Sequence, residues 1–172
     1  VTLSDAVQHA LKSPQQQTLR VAVHALYADL SHDITARQPR CDVSGRCCHF
    51  DEFGHRLYVT TAELAVFVAD LPAKEPAASP VRSLPVLGAS PSCDYLAEGL
   101  CSVHTIRPFG CRVFFCDPTA KEWMENKYET FHHRLRDLHQ QFELPYFYVE
   151  WRAALRDLTS ASLIPNISAQ KR

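Results

Sequence analysis

The side chains best suited to chemistry are seven cysteines, all confined to residues 41–116. One group is Cys41-Asp-Val-Ser-Gly-Arg-Cys47-Cys48, and the other runs Cys93-x7-Cys101-x9-Cys111-x4-Cys116. Thiolates are soft, charged donors that bind zinc, iron or iron–sulfur clusters. Small zinc modules usually present paired Cys-x2-Cys knuckles, and this chain has none. Neighbouring side chains tend to diverge, so adjacent Cys47 and Cys48 suit two ions, two parts of a larger cluster, or one site plus the core. The wide spacings suit a loop wrapped around an inorganic cluster, and the Asp117-Pro118 step after Cys116 matches the proline often found behind a cluster cysteine. Cys41, Cys47, Cys48, Cys93, Cys101, Cys111 and Cys116 are therefore the candidate metal ligands.

Charge points the same way. Four thiolates on zinc, or on an oxidised 4Fe–4S cluster, carry a net charge of about −2 that burial must compensate. Arg107 and Arg112 stand among the cysteines and are expected to supply that compensation, with Arg46 a weaker candidate. His49, His104, Asp94 and Asp117 are available as further donors. Four thiols could hold a cluster with three left over, six could hold two zinc ions through bridging thiolates, and a spare thiolate beside an arginine could act as a nucleophile. Disulfides are the plainer alternative, although an odd number of cysteines cannot all pair within one chain.

The rest of the composition narrows the class. The 172 residues are 46% apolar and 22% charged, with a net charge of −1. That is an ordinary globular composition, long enough for one domain with a real core. It gives no electrostatic reason to expect nucleic acid or an anionic membrane as partner. No apolar run approaches the roughly 20 residues of a membrane-spanning helix. The start, Val1-Thr-Leu-Ser-Asp, lacks the basic and apolar segments of a signal peptide. A cytoplasmic location is the resulting expectation, and in a reducing compartment clustered thiols favour metal over disulfide.

The flanking segments must position these thiols. Ser4 is read as capping a short helix over 4–12. Leu19, Val23, Leu26, Tyr27 and Leu30 recur at three- and four-residue steps and predict a helix over about 15–31. Thr35–Arg40 reads as a polar exit. After the first cysteine group, His55–Val59 alternates like a strand. Thr60 and Glu63 then form a capping box for a helix over about 61–71, burying Leu64, Phe67, Val68 and Leu71. Prolines 72, 76, 80, 85 and 91 predict an extended loop that lets the two cysteine groups meet. Asp94–Val103 reads as a hairpin turning at Glu98-Gly99, and His104–Gly110 as a helical turn interrupted around Pro108. Tyr128, Phe131, Leu135, Leu138 and Phe142 mark a long helix over about 118–143. His132, His133 and His139 are read as solvated positions beside that stripe. Pro145 is read as restarting a last helix through Trp151, Leu155 and Leu158, followed by a polar tail from Thr159.

Taken together, Cys41, Cys47-Cys48, Cys93, Gly-Leu-Cys101-Ser-Val and Arg107-Pro108-Phe-Gly-Cys111-Arg112-Val-Phe-Phe-Cys116 form a pattern. It resembles the YkgJ-like cysteine-cluster family, described as a zinc- or iron-chelating domain. The match covers about residues 41–117. Two positions depart from it: the family's second cysteine falls at Ser44, and His104 stands near a usual aromatic position. The resemblance implies metal binding, and some relatives are fused to or lie within flagellin lysine methylases. No nucleotide or methyl-donor motif accompanies it here.

The expected fold is α+β: a mainly helical, loop-rich single domain over 1–172 with short β-hairpins. It is built around a cysteine metal cluster at about 41–117, flanked by helices at about 4–31 and 118–158. The expected function is a metal-binding protein holding an iron–sulfur cluster, 4Fe–4S first, or zinc. Its role would be redox, metal handling or support of a partner enzyme. The alternatives are a structural zinc module for protein interaction and a protein-modifying enzyme.

Overall fold

A computed structural model describes residues 1–43, 45–72 and 92–166. Helices dominate: α1 (Leu3–Lys12), α2 (Gln16–Arg37), the short α3 (Phe50–Phe53), α4 (Thr61–Asp70), the short α5 (Phe109–Val113), α6 (Lys121–Gln141) and α7 (Trp151–Ser160). Two small antiparallel sheets complete it, one pairing β1 (Tyr58–Thr60) with β4 (Tyr148–Glu150), the other pairing β2 (Leu96–Ala97) with β3 (Leu100–Cys101). The class is thus mainly helical α+β. Among the described residues no helix is long and apolar enough to cross a membrane.

Each long helix forms where the local chemistry favours it. α1 is capped two residues earlier than the Ser4 reading, because Thr2 and Asp5 exchange side-chain-to-backbone hydrogen bonds in a complete capping box. α2 buries Leu19, Val23, Leu26, Tyr27 and Leu30, the stripe expected from their spacing. It continues through the expected polar exit to Arg37 and ends on Gln38 in the left-handed region. Its polar last turns are held from the side: Asp29 pairs with Arg134 at 2.5 Å and Asp33 with Lys127 at 2.7 Å, both on α6. α4 begins at the Thr60–Glu63 capping box. Thr61, Ala62, Glu63, Ala65 and Val66 are buried there as well as Leu64 and Phe67, whereas Val68 and Leu71 are only half-buried. The first turns of α4 are enclosed on every side by α1, α2, α6 and β1.

The chain after α6 differs from the expected helical restart at Pro145. Residues 144–147 carry no regular structure and lead into β4, whose register sets Tyr58 opposite Glu150, Val59 opposite Val149 and Thr60 opposite Tyr148. α7 then starts at Trp151, with the Glu150 carboxylate accepting from the Ala153 N–H. An edge strand far along the sequence supplied the partner that local periodicity cannot show. The polar reading of the tail also needs correcting at Ile164, which is buried against the core. The prolines at 76, 80, 85 and 91 lie outside the described residues, as does Ser44.

His139 is a second correction. It is only 3% exposed, not a solvated helix position. Its Nδ1 is 2.8 Å from the Leu135 carbonyl, and the Ala62 N–H donates to its Nε2 at 3.1 Å. A carbonyl only accepts, so Nδ1 carries the proton and Nε2 caps the first turn of α4. Burial holds this imidazole below its ordinary pKa. As pH falls through the unfolded value of about 6.5, the unfolded chain gains a proton that the folded chain refuses. Stability should therefore decline below that pH, with a slope approaching about 1.4 kcal/mol per pH unit for one group. Urea denaturation of wild type and His139→Gln from pH 8 to 5.5 checks this: the variant should show the shallower slope. An identical slope would remove His139 from the account. Burial shifts His104 and His132 in the same direction, so part of the slope should persist.

Candidate thiol site

Four pieces of backbone bring the cysteines together. Gly45, at φ +70°, opens a 3-10 turn over Arg46–Cys48. A Cβ on Gly45 would lie 2.8 Å from the Gly99 carbonyl oxygen, so the β2–β3 turn packs directly against this glycine. Glu98 and Gly99 both take positive φ, as a tight two-residue hairpin turn requires. The Cys93 N–H donates to the Cys48 carbonyl at 2.7 Å, sewing the two cysteine groups together. α5 begins immediately after Pro108 and carries Cys111.

Five thiols, those of Cys47, Cys48, Cys93, Cys101 and Cys111, line one small cavity of about 20 Å³, walled also by Phe50, Val103, Arg107, Pro108 and Trp151. That volume accommodates about one water-sized group. Cys41 and Cys116 do not line it; Cys41 is exposed and Cys116 half-buried. None of the seven is joined in a disulfide. Among the described residues no three or more Cys, His, Asp or Glu side chains stand in an arrangement ready to hold a metal ion. The five therefore line a common cavity without forming a preformed cage.

Their electrostatics centre on Cys48. Thiol hydrogen bonds with Cys101, Cys47 and Cys93, helped by burial, push its pKa far up, so it keeps its proton. The same contacts stabilise the partners as thiolates. Cys47 falls to about 6, chiefly through its bond with Cys48 and then through the Arg107 charge. Cys101 falls to about 7 for the same leading reason, and Cys93 is lowered too. Cys111 moves the other way, because burial dominates.

Arg107 is the cation at this cavity, and its Nε is buried without a hydrogen-bond partner among the described residues. Arg112 faces elsewhere. Its Nε donates to the Arg107 carbonyl and its Nη2 to the Thr105 carbonyl, each at 2.8 Å, while its guanidinium lies 4.2 Å from the Tyr27 ring centre. It staples the 105–107 turn onto α2 and so positions Arg107. Arg46 lies over Phe53. Of the other candidate donors, His49 stands beside Glu52, and Asp117 caps the turn that precedes α6. His104 and Asp94 do not line the cavity.

Trp151 is the site residue that sequence reasoning placed only in a helix core. Its indole N–H donates to Cys93 Sγ at 3.4 Å, and its ring packs edge-on against Phe67. His55, read from the sequence only as the start of a strand, stacks on Phe114, and its Nε2 is 3.3 Å from the Cys47 carbonyl oxygen. Neither carries a local signal, since each meets its partner only through the fold.

No family model, curated protein or solved structure matches the chain. The YkgJ-like reading thus rests on the cysteine and arginine pattern itself.

Proposed function

We propose that the chain is a metal-binding protein of YkgJ-like type, whose thiols at the Cys48 cavity hold either zinc, which a space of about 20 Å³ admits as it stands, or an iron–sulfur cluster, for which the thiols must move apart. The observation that carries the reading is that five cysteines from four separate pieces of chain line one small cavity, beside an arginine whose buried Nε has no hydrogen-bond partner among the described residues. Thiolates at Cys47 and Cys101 supply soft donors near neutral pH, and the Cys93 thiol is lowered in the same direction. Arg107 offsets the negative charge that such a centre accumulates. The Trp151 N–H donates to one of the sulfurs, as groups around metal ligands commonly do.

A metal bound here would supply structural cross-linking in the zinc case, and electron transfer or metal delivery in the iron–sulfur case. The protein's own residues fix the donor set, exclude water from it and balance its charge. The walls of Phe50, Val103, Pro108 and Trp151 keep the site largely apolar. A cytoplasmic setting fits donors that must stay reduced, and a protein partner would receive whatever the centre provides.

Anaerobic purification with iron, sulfide and zinc analysis and a visible spectrum tests the proposal. Iron and sulfide in equal amounts with a brown chromophore would assign the cluster, and zinc with a colourless protein would assign the ion. Cys48→Ser and Cys101→Ser should each lose most of the bound metal. They should also lower the melting temperature, because metal binding and folding are coupled. A protein that takes up neither metal from anaerobic reconstitution would end the proposal.

A further inference from the structure

Two of the cavity thiols are held within disulfide reach by their own backbone. The Cys93 N–H donates to the Cys48 carbonyl at 2.7 Å. Standard bond lengths and angles then cap the separation of the two Cα atoms at about 6.6 Å, inside the limit of about 6.8 Å that a disulfide spans. The side chains meet as well, since the two thiols are hydrogen-bonded to each other. The Trp151 indole N–H donates to Cys93 Sγ at 3.4 Å and holds that sulfur in place. The other thiols around Cys48 are less well placed to bridge to it. A bond to Cys47 would close through the single peptide unit between them and strain its planarity. The Cys101 backbone is paired with Leu96 in the β2–β3 hairpin. Cys48 and Cys93 are 7% and 4% exposed, whereas Cys47, Cys101 and Cys111 line the same cavity and are half-buried, so solvent reaches its edge. A space of about 20 Å³ favours hydrogen peroxide over a bulky disulfide as the oxidant that enters.

We infer that Cys48 and Cys93 are a redox pair, which hydrogen peroxide closes to a disulfide that withdraws both sulfurs from metal. Peroxide transfers one oxygen to the Cys93 sulfur. Its O–O bond breaks, one water leaves, and Cys93 becomes a sulfenic acid. The Cys48 sulfur then attacks the Cys93 sulfur. The S–S bond forms as the S–O bond breaks, and the hydroxyl leaves as a second water with the Cys48 proton. Two thiols are oxidised to one disulfide, and one peroxide is reduced to two waters. A sulfur in a disulfide is no longer a thiolate donor, so the bond removes two of the five thiols that line the cavity. The disulfide stands on the geometry of the pair; only its effect on loading rests on the metal reading.

Peptide mapping tests the pair. Reduced protein is treated with hydrogen peroxide, quenched with N-ethylmaleimide, digested with trypsin and Asp-N and analysed by mass spectrometry. Cleavage after arginine and before aspartate puts Cys93 alone on Ser83–Cys93, Cys101 and Cys111 together on Asp94–Arg112, and the adjacent pair on Cys47–Phe50. The expected main disulfide product joins Ser83–Cys93 to Cys47–Phe50, with fragmentation placing the bond at Cys48 and the maleimide at Cys47. A main product linking Cys48 to Cys101 would overturn the inference, as would sulfinic acid at Cys93 without a link. Wild-type protein suffices for this result, so it does not depend on a variant that folds. The linked protein, freed of peroxide, is then offered zinc. It should take up less than the reduced protein, and a phosphine reductant should restore the difference. Equal uptake would overturn the withdrawal of these sulfurs from metal. A protein that forms the link, yet takes up neither zinc nor iron when reduced, would support the disulfide while ending the metal proposal alone.

Discussion

Glu63→Ala should cost about 3–5 kcal/mol, a severe loss for a domain of this kind. Glu63 is 1% exposed, yet its carboxylate receives four hydrogen bonds. They come from the Thr60 N–H and hydroxyl, both at 2.9 Å, the Tyr27 hydroxyl at 3.3 Å and the Phe109 N–H at 2.8 Å. Burial pushes its pKa up, and the bonds from Thr60, Phe109 and Tyr27 pull it back. Removing the carboxylate strands these donors in the core, at about 1–3 kcal/mol for each one left unsatisfied. Partial relaxation of the hydroxyls keeps the sum below the full total. Thermal unfolding should show a drop of about 2–4 °C per kcal/mol. Glu63→Gln keeps the shape but turns an NH2 group toward at least one donor, and should cost about 1–3 kcal/mol. An alanine variant within about 1 kcal/mol of wild type would show that solvent or repacking satisfies these groups. The consequence reaches the thiol cavity, because the Phe109 bond ties the start of α4 to the helix that carries Cys111.

Trp151→Ala should have a comparable effect for a different reason. The ring is 1% exposed, forms part of the cavity wall and packs edge-on against Phe67 at 5.0 Å between ring centres. Truncating a buried tryptophan to alanine costs about 3–5 kcal/mol, because apolar contacts are lost and a void remains. Trp151→Phe retains most of the ring and gives up mainly the N–H donated to Cys93 Sγ, a bond worth about 0.5–1.5 kcal/mol. The two variants thus divide packing from hydrogen bonding in a urea titration. Alkylation adds a local readout: Cys93 is 4% exposed, and opening the wall should speed its modification in the alanine variant far more than in phenylalanine. If phenylalanine destabilised as much as alanine, the indole N–H and not the ring volume would be the main contribution.

Several parts of the molecule were legible from short stretches of chain. The stripe of Leu19, Val23, Leu26, Tyr27 and Leu30 is a local periodicity, and it is the buried face of α2. Thr60 and Glu63 cap α4 because the capping box is complete within four residues. The Glu98-Gly99 turn sits in the hairpin that its residue types predict. The two cysteine groups do meet, through the Cys93 N–H and the Cys48 carbonyl.

Other features depended on partners far along the chain. β4 exists because β1 offers it an edge, and residues 144–150 carry no pattern strong enough to specify it alone. His139 looked like a surface position because the residue it caps, Ala62, is 77 positions away. The Trp151 indole and Cys93 are 58 positions apart, and Glu63 and Phe109 are 46 apart.

By itself, then, the sequence determined the stripes of the long helices, the Thr60–Glu63 cap, the hairpin turn and the identity of the soft donors, since each depends on residues within a turn or two of one another. Tertiary structure alone decided how the seven thiols divide. It gathers Cys47, Cys48, Cys93, Cys101 and Cys111 at one cavity and leaves Cys41 and Cys116 outside it. It also sends Arg107 to that cavity and Arg112 to the Tyr27 ring. Residue type fixes what a side chain can bind, but which side chains share a site depends on distances set by packing between segments, and spacing along the chain does not encode those distances.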